Sequence, residues 1–76
     1  MKDVLDYIAK AIVDEPDEVD VTERKGDRGI VLELRVAQED MGKVIGKGGR
    51  TVRAIRNVVK AAAIREDVHV SVDVVD

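Results

Sequence analysis

With 76 residues, 45% of them hydrophobic and 38% charged, the chain suits one small domain with a thin core and is too apolar for intrinsic disorder. It has no cysteine, which removes disulfides, thiol catalysis and cysteine-ligated zinc. No apolar run approaches the roughly 18 residues of a membrane span, and Met1-Lys2-Asp3-Val4 lacks the apolar core of a signal peptide, so a cytoplasmic location with no membrane contact is expected. The formal net charge of −3 argues against a nucleic-acid partner, but its distribution argues for one. Between Gly42 and Arg65 stand seven cations (Lys43, Lys47, Arg50, Arg53, Arg56, Lys60, Arg65) and no acid, leaving six cations and sixteen acids elsewhere. Such polarity presents a positive surface on an acidic protein and steers an anion to one face.

In chain order, Asp3 to Val13 sets Val4, Leu5, Ile8, Ala11 and Ile12 at helical spacing, an amphipathic helix. It should end near Asp14, because Pro16 disfavours helical geometry in the residue before it and has no N–H to donate. The acidic run Asp14 to Asp20 lacks the Asp-x-Asp-x-Asp-Gly order and closing glutamate of a calcium loop, so it reads as a solvated turn and no metal is expected. Val19 to Arg24 alternates, Lys25-Gly26-Asp27-Arg28-Gly29 is turn chemistry, and Ile30 to Val36 alternates again with Ile30, Leu32, Leu34 and Val36 on one face. These are the marks of an antiparallel hairpin with one buried face.

Helical spacing returns over Gln38 to Ile45, where Met41, Val44 and Ile45 share a side; acids suit its positive start and Lys43 its negative end. A longer helix follows from about Gly49 to Arg65, with Val52, Ile55, Val59, Ala62 and Ala63 as its apolar arc. Arg50, Arg53, Arg56 and Lys60 fall within about 120° on the other side. Val68 to Val74 alternates without a break, a strand with four valines inward and His69 outward. No second histidine or positioned carboxylate pair joins His69 to form a ligand set or a triad, so neither an enzyme nor a cofactor is expected. The order helix, strand, strand, helix, helix, strand gives an α+β fold of two layers, a three-stranded sheet with helices on one face, in one domain spanning residues 1–76.

The densest signal is Val44-Ile45-Gly46-Lys47-Gly48-Gly49-Arg50-Thr51-Val52, which holds three of the six glycines. Glycine serves where a backbone takes φ > 0 or is approached closely by a ligand. A nucleotidase-type phosphate loop needs Gly-x-x-x-x-Gly-Lys and then Ser or Thr after a strand; here Gly48 follows Gly46-Lys47 and a helix precedes them. The dinucleotide fingerprint differs in glycine spacing and in its preceding strand. Gly-x-x-Gly between two helices fits.

Gly46-Lys47-Gly48-Gly49, preceded by Asp40-Met41-Gly42 and Val44-Ile45, followed by Val52 and Ile55 and set in this element order, resembles the KH domain of the prokaryotic type II fold (α-β-β-α-α-β). The resemblance covers essentially the whole chain, and the length is similar to that of the small stand-alone bacterial members. It implies a turn that clamps the backbone of about four nucleotides of single-stranded RNA beside a groove for the bases. By position Lys47 and Gly48 meet the backbone, the amides near Gly49 and Arg50 favour an anion, and Arg50 and Arg53 extend the contact. The RNA-binding residues expected are therefore Ile45, Gly46, Lys47, Gly48, Gly49, Arg50 and Arg53. The two helices and the hairpin's second strand should wall the groove, with Val44, Ile45, Leu34 and Val36 as its floor. The single aromatic, Tyr7, leaves no stacking platform of the kind other RNA-binding folds use. The resemblance also implies a post-transcriptional regulator or RNA chaperone. The alternative it brings is an interaction module, a homodimer or a heterodimer with a larger, Jag-type KH-domain protein, in which RNA is secondary.

Overall fold

The computed structural model describes residues 1–75, so the last residue of the expected 1–76 domain lies outside the described residues. Helix α1 runs Lys2–Ile12 and buries Leu5 and Ala9, with Val4, Ile8 and Ile12 half-buried beside them. The buried alanine is Ala9 and not Ala11, which is exposed. Ala9 stands four residues after Leu5, about 40° round the helix, whereas Ala11 is rotated to its flank. Val13 turns the chain to extended geometry with ψ 160°, and Pro16 opens a single 3₁₀ turn, Pro16–Glu18.

Strands β1 (Asp20–Gly26) and β2 (Gly29–Arg35) pair antiparallel from Asp20 opposite Arg35 to Gly26 opposite Gly29, joined through Asp27-Arg28. After a 3₁₀ turn, Gln38–Asp40, come helix α2 (Met41–Ile45), a second 3₁₀ turn, Lys47–Gly49, and helix α3 (Arg50–Arg65). The chain closes with strand β3 (Val70–Val74), parallel to β2 with Leu32 beside Val72. Parallel neighbours need a long crossover, and α2 with α3 supplies it.

The sheet order is β1-β2-β3. Its inward residues Val21, Leu32, Leu34, Val70 and Val72 join Leu5 and Ala9 of α1, Val44 of α2, and Ile55, Val59 and Ala63 of α3 in one core. The opposite face carries Thr22, Arg24, Arg35, Ser71 and Asp73, all exposed. This is the α+β arrangement of a type II KH fold, with the helical layer on one side. No helix among the described residues is long and apolar enough to cross a membrane.

The last strand is shorter than its alternation suggests. Val68 lies before it and is 40% exposed, because the end of α3 reverses the chain there. Asp67 takes φ 58°, its N–H donates to the Ile64 carbonyl at 3.1 Å, and the Val68 N–H donates to the Ala63 carbonyl at 3.0 Å. That is a Schellman cap with aspartate at the left-handed position where glycine is preferred. Asp67→Gly should relieve about 1 kcal/mol of backbone strain and raise the thermal midpoint by roughly 4–8 °C for a domain of this size. A melting curve with an unchanged or lower midpoint would contradict the cap as described.

Candidate nucleic-acid interface

The glycine turn is built at the junction of α2 and α3. The Gly46 N–H donates to the Gly42 carbonyl at 2.8 Å, closing α2, and the Gly49 N–H donates to the Gly46 carbonyl at 3.1 Å. Gly46 has φ 76° and ψ 169°, a region open essentially to glycine alone. A Cβ added there would also stand 2.7 Å from both the Cβ and the backbone nitrogen of Thr51. The loop is thus pressed against the first turn of α3 at the one residue with no side chain to obstruct it. Gly48 (φ 64°, ψ 20°) and Gly49 (φ 78°, ψ 14°) are left-handed as well, but a Cβ at either would meet nothing within 4 Å. Their requirement is conformational and not steric.

Lys47, Gly48, Arg50 and Arg53 are exposed, while Ile45, Gly46 and Gly49 are partly covered. The structure therefore brings the seven expected residues together as the end of α2, the turn and the first turn of α3. Two expectations change. The amides of Gly49 and Arg50 are not free, since they donate to the Gly46 and Lys47 carbonyls inside the turn. The attraction for an anion rests on the side-chain cations and on the amino-terminal end of α3, whose cap residue Gly49 offers no side-chain acceptor.

The residues expected as the groove floor are also more covered than a floor allows. Strand β2 is central and paired on both sides, so it has no open edge, and Leu34 and Val44 are 0% exposed; both are core. Val36 and Ile45 are half-buried. The open wall is β3. The Ile30 N–H donates to the His69 carbonyl at 2.8 Å and the Val75 N–H to the Leu34 carbonyl at 2.9 Å, so the odd-numbered residues of this strand face β2. Backbone groups of Val70, Val72 and Val74 then point to the free edge. Between that edge and α3 runs a cleft of about 300 Å³ lined by Arg56, Lys60, Val70, Ser71, Val72 and Asp73. A larger dent of about 400 Å³ lies at the β1–β2 turn, and neither concavity is lined by any of the seven expected residues.

The seven cations of the acid-free segment divide by task. Lys43 pairs with the Asp14 carboxylate, whose hydrogen bond holds the ammonium above its usual pKa. The Arg56 Nε–H donates to the Val72 carbonyl at 3.1 Å, fastening α3 to the free edge of β3. Lys47, Arg50, Arg53, Lys60 and Arg65 make no ion pair with another described residue. The unpaired positive surface therefore starts at the turn and runs along α3.

Sequence reasoning missed Asp40. It is 1% exposed, and its two carboxylate oxygens accept the N–H groups of Asp14 at 3.1 Å and Glu15 at 3.0 Å. An acid just before a short helix signals an N-terminus, but partners 25 and 26 residues away leave no local trace. Among the described residues no group of three His, Cys, Asp or Glu side chains is arranged to hold a metal ion.

The contrast between the glycines is measurable. Gly46→Ala should cost about 2–4 kcal/mol, combining forbidden backbone geometry with overpacking against Thr51, and Gly48→Ala about 1 kcal/mol. Urea titrations of the two variants giving equal losses would contradict this account of the turn.

Comparison with known proteins agrees with the geometry. The family model for the KhpA/KhpB KH domain matches residues 2–74. The RNA-binding protein KhpA of Clostridium acetobutylicum is 57% identical over 75 residues, covering 99% of this chain and 100% of its own length. That of Caldanaerobacter subterraneus is 53% identical over 75 residues, with the same coverage of both chains, and that of Chlamydia caviae is 47% identical over 76 residues, all of this chain and 97% of its own. No solved structure gives a significant match. Family match, full-length identity and a glycine turn between two helices in an α-β-β-α-α-β order together place the chain in the KhpA/KhpB family of KH domains.

Proposed function

We propose that the chain is a non-enzymatic, cytoplasmic binder of single-stranded RNA that acts in post-transcriptional regulation or as an RNA chaperone, gripping the sugar-phosphate backbone at Gly46-Lys47-Gly48-Gly49. The observation that carries this reading is the coincidence of an open, side-chain-free turn tip at Gly48 with Lys47, Arg50 and Arg53, all exposed and unpaired among the described residues. A phosphate can approach the Gly48 backbone without obstruction while these three cations neutralise charge along the strand. Relatives named as RNA-binding proteins support the choice of ligand.

The bases then lie in the cleft between α3 and β3. Its walls set open backbone donors and acceptors of the edge strand beside the Arg56 and Lys60 side chains, which suits edge hydrogen bonding of unpaired bases better than stacking. Arg56 already occupies the Val72 carbonyl, so the reading leaves Val70 and Val74 as the edge residues with both backbone groups available. One module with few contacts gives modest affinity and low sequence specificity.

A second reading, an interface with another copy or with a larger KH-domain protein, is favoured by one observation. Val58 and Ile64 of α3 are 50% and 71% exposed, apolar side chains open to a partner. Sedimentation over a range of concentrations separates the two: a monomer that binds RNA supports the first reading, and a dimer with no RNA affinity supports the second.

The electrostatic part has its own signature. With three phosphates neutralised, log K against log salt should slope at roughly −2 for a single strand. Lys47→Gln and Arg53→Gln should each weaken binding to a short unstructured RNA and flatten that slope by about 0.7, with folding unchanged because both side chains are exposed. These variants are cleaner than an acidic replacement at Gly48, where φ 64° adds backbone strain to any charge effect. Fluorescence anisotropy showing undiminished affinity and slope in both folded variants would overturn the backbone clamp.

A further inference from the structure

Helix α2 has five residues, too few to hold helical form alone, yet it carries the glycine turn at its C-terminal end. Three contacts fix it in place. Val44 is sealed in the core at its centre, and at its start Asp40 accepts the Asp14 and Glu15 N–H groups, one on each carboxylate oxygen. Lys43, one turn further along, pairs with the Asp14 side chain. The turn after α1 is thereby tied to α2 at two points. A carboxylate suits this position because both oxygens accept. An asparagine would turn an NH₂ group toward one of the two backbone donors, and a buried polar group without a partner is destabilising.

The other side of the glycine turn is secured differently, by the sixteen residues of α3 packed through Val52, Ile55, Val59 and Ala63. Between these anchors Gly48 and Gly49 touch nothing that would hold a side chain in place. We propose that Asp40 is a positioning residue for the nucleic-acid turn: by pinning the start of α2 to the Asp14-Glu15 backbone it sets where Gly46–Gly49 stand relative to α3. Loosening that pin removes no contact with a ligand. It makes the turn pay for its own ordering on binding, which weakens affinity through lost pre-organisation. The affinity part rests on the RNA-binding reading above; the ordering of the turn does not.

The test combines amide hydrogen exchange with RNA titration on the full chain carrying Asp40→Asn, at a temperature where circular dichroism shows it folded. Expected are faster exchange at the Asp14 and Glu15 amides and at least tenfold faster exchange at Gly46 and Gly49, with the Val59 amide of α3 little changed. RNA affinity should fall three- to tenfold while the salt slope stays at the wild-type value, unlike the flattened slope of Lys47→Gln. Uniform acceleration at every amide, or unchanged exchange at Gly46 and Gly49, would overturn the proposal and leave Asp40 a residue of global stability only. If Asp40→Asn does not fold, Asp40→Glu decides, since it keeps the charge and displaces both oxygens from the Asp14 and Glu15 N–H groups: faster exchange at Gly46 and Gly49 with Val59 little changed supports the proposal, and unchanged exchange at Gly46 and Gly49 overturns it. Should the wild-type chain bind no RNA, the RNA-binding reading fails and the exchange data still decide the role of Asp40.

Discussion

Everything at the site depends on how closely the chain between α2 and α3 passes the first turn of α3. Gly46 makes that passage possible, with a backbone conformation reserved for glycine and with the Thr51 backbone nitrogen 2.7 Å from where a Cβ would stand. Because the passage is tight, the two helices meet with only the short turn Lys47–Gly49 between them. Lys47 and Gly48 are then held at the tip, and Arg50 and Arg53 follow within the next turn of α3. A looser connection would carry the same residues without fixing them against one another.

The second organising factor is the allocation of charge. An acid-free segment of 24 residues in a chain of net charge −3 reads as a uniform basic surface, and the fold shows that it is not uniform. Lys43 is neutralised by the acidic turn after α1, and Arg56 serves the edge of the sheet. Two cations therefore hold the scaffold that the others use. The acidic turn, which in isolation suggests little beyond solvation, becomes the anchor of α2 through its backbone N–H groups on Asp40 and its Asp14 side chain on Lys43.

The sequence made legible what is local and periodic. Alternation in Ile30 to Val36 and the 3.6-residue spacing of Val52, Ile55, Val59 and Ala63 set the elements and their buried faces, and the glycine spacing located the turn. Illegible was whatever depends on which elements become neighbours. The KH resemblance sets the groove against β2, yet the crossover through α2 and α3 puts β3 on the outside and β2 in the centre. Val68 continues an unbroken alternation, but the left-handed Asp67 before it spends that residue on reversing the chain. Asp40 reads as an acid at a helix start, and only folding brings the Asp14 and Glu15 N–H groups onto it.

On the RNA-binding proposal the turn and the cleft beyond it receive one strand together. The most direct measurement is an amide chemical-shift map of the labelled chain titrated with a short unstructured RNA. Shifts are expected at Gly46 to Arg53 and along Val70 to Val74, continuous from turn to cleft, with α1 and β1 little affected. Shifts confined to α1 or to the outer face of the sheet, or none at the Gly46–Gly49 amides at saturation, would contradict it.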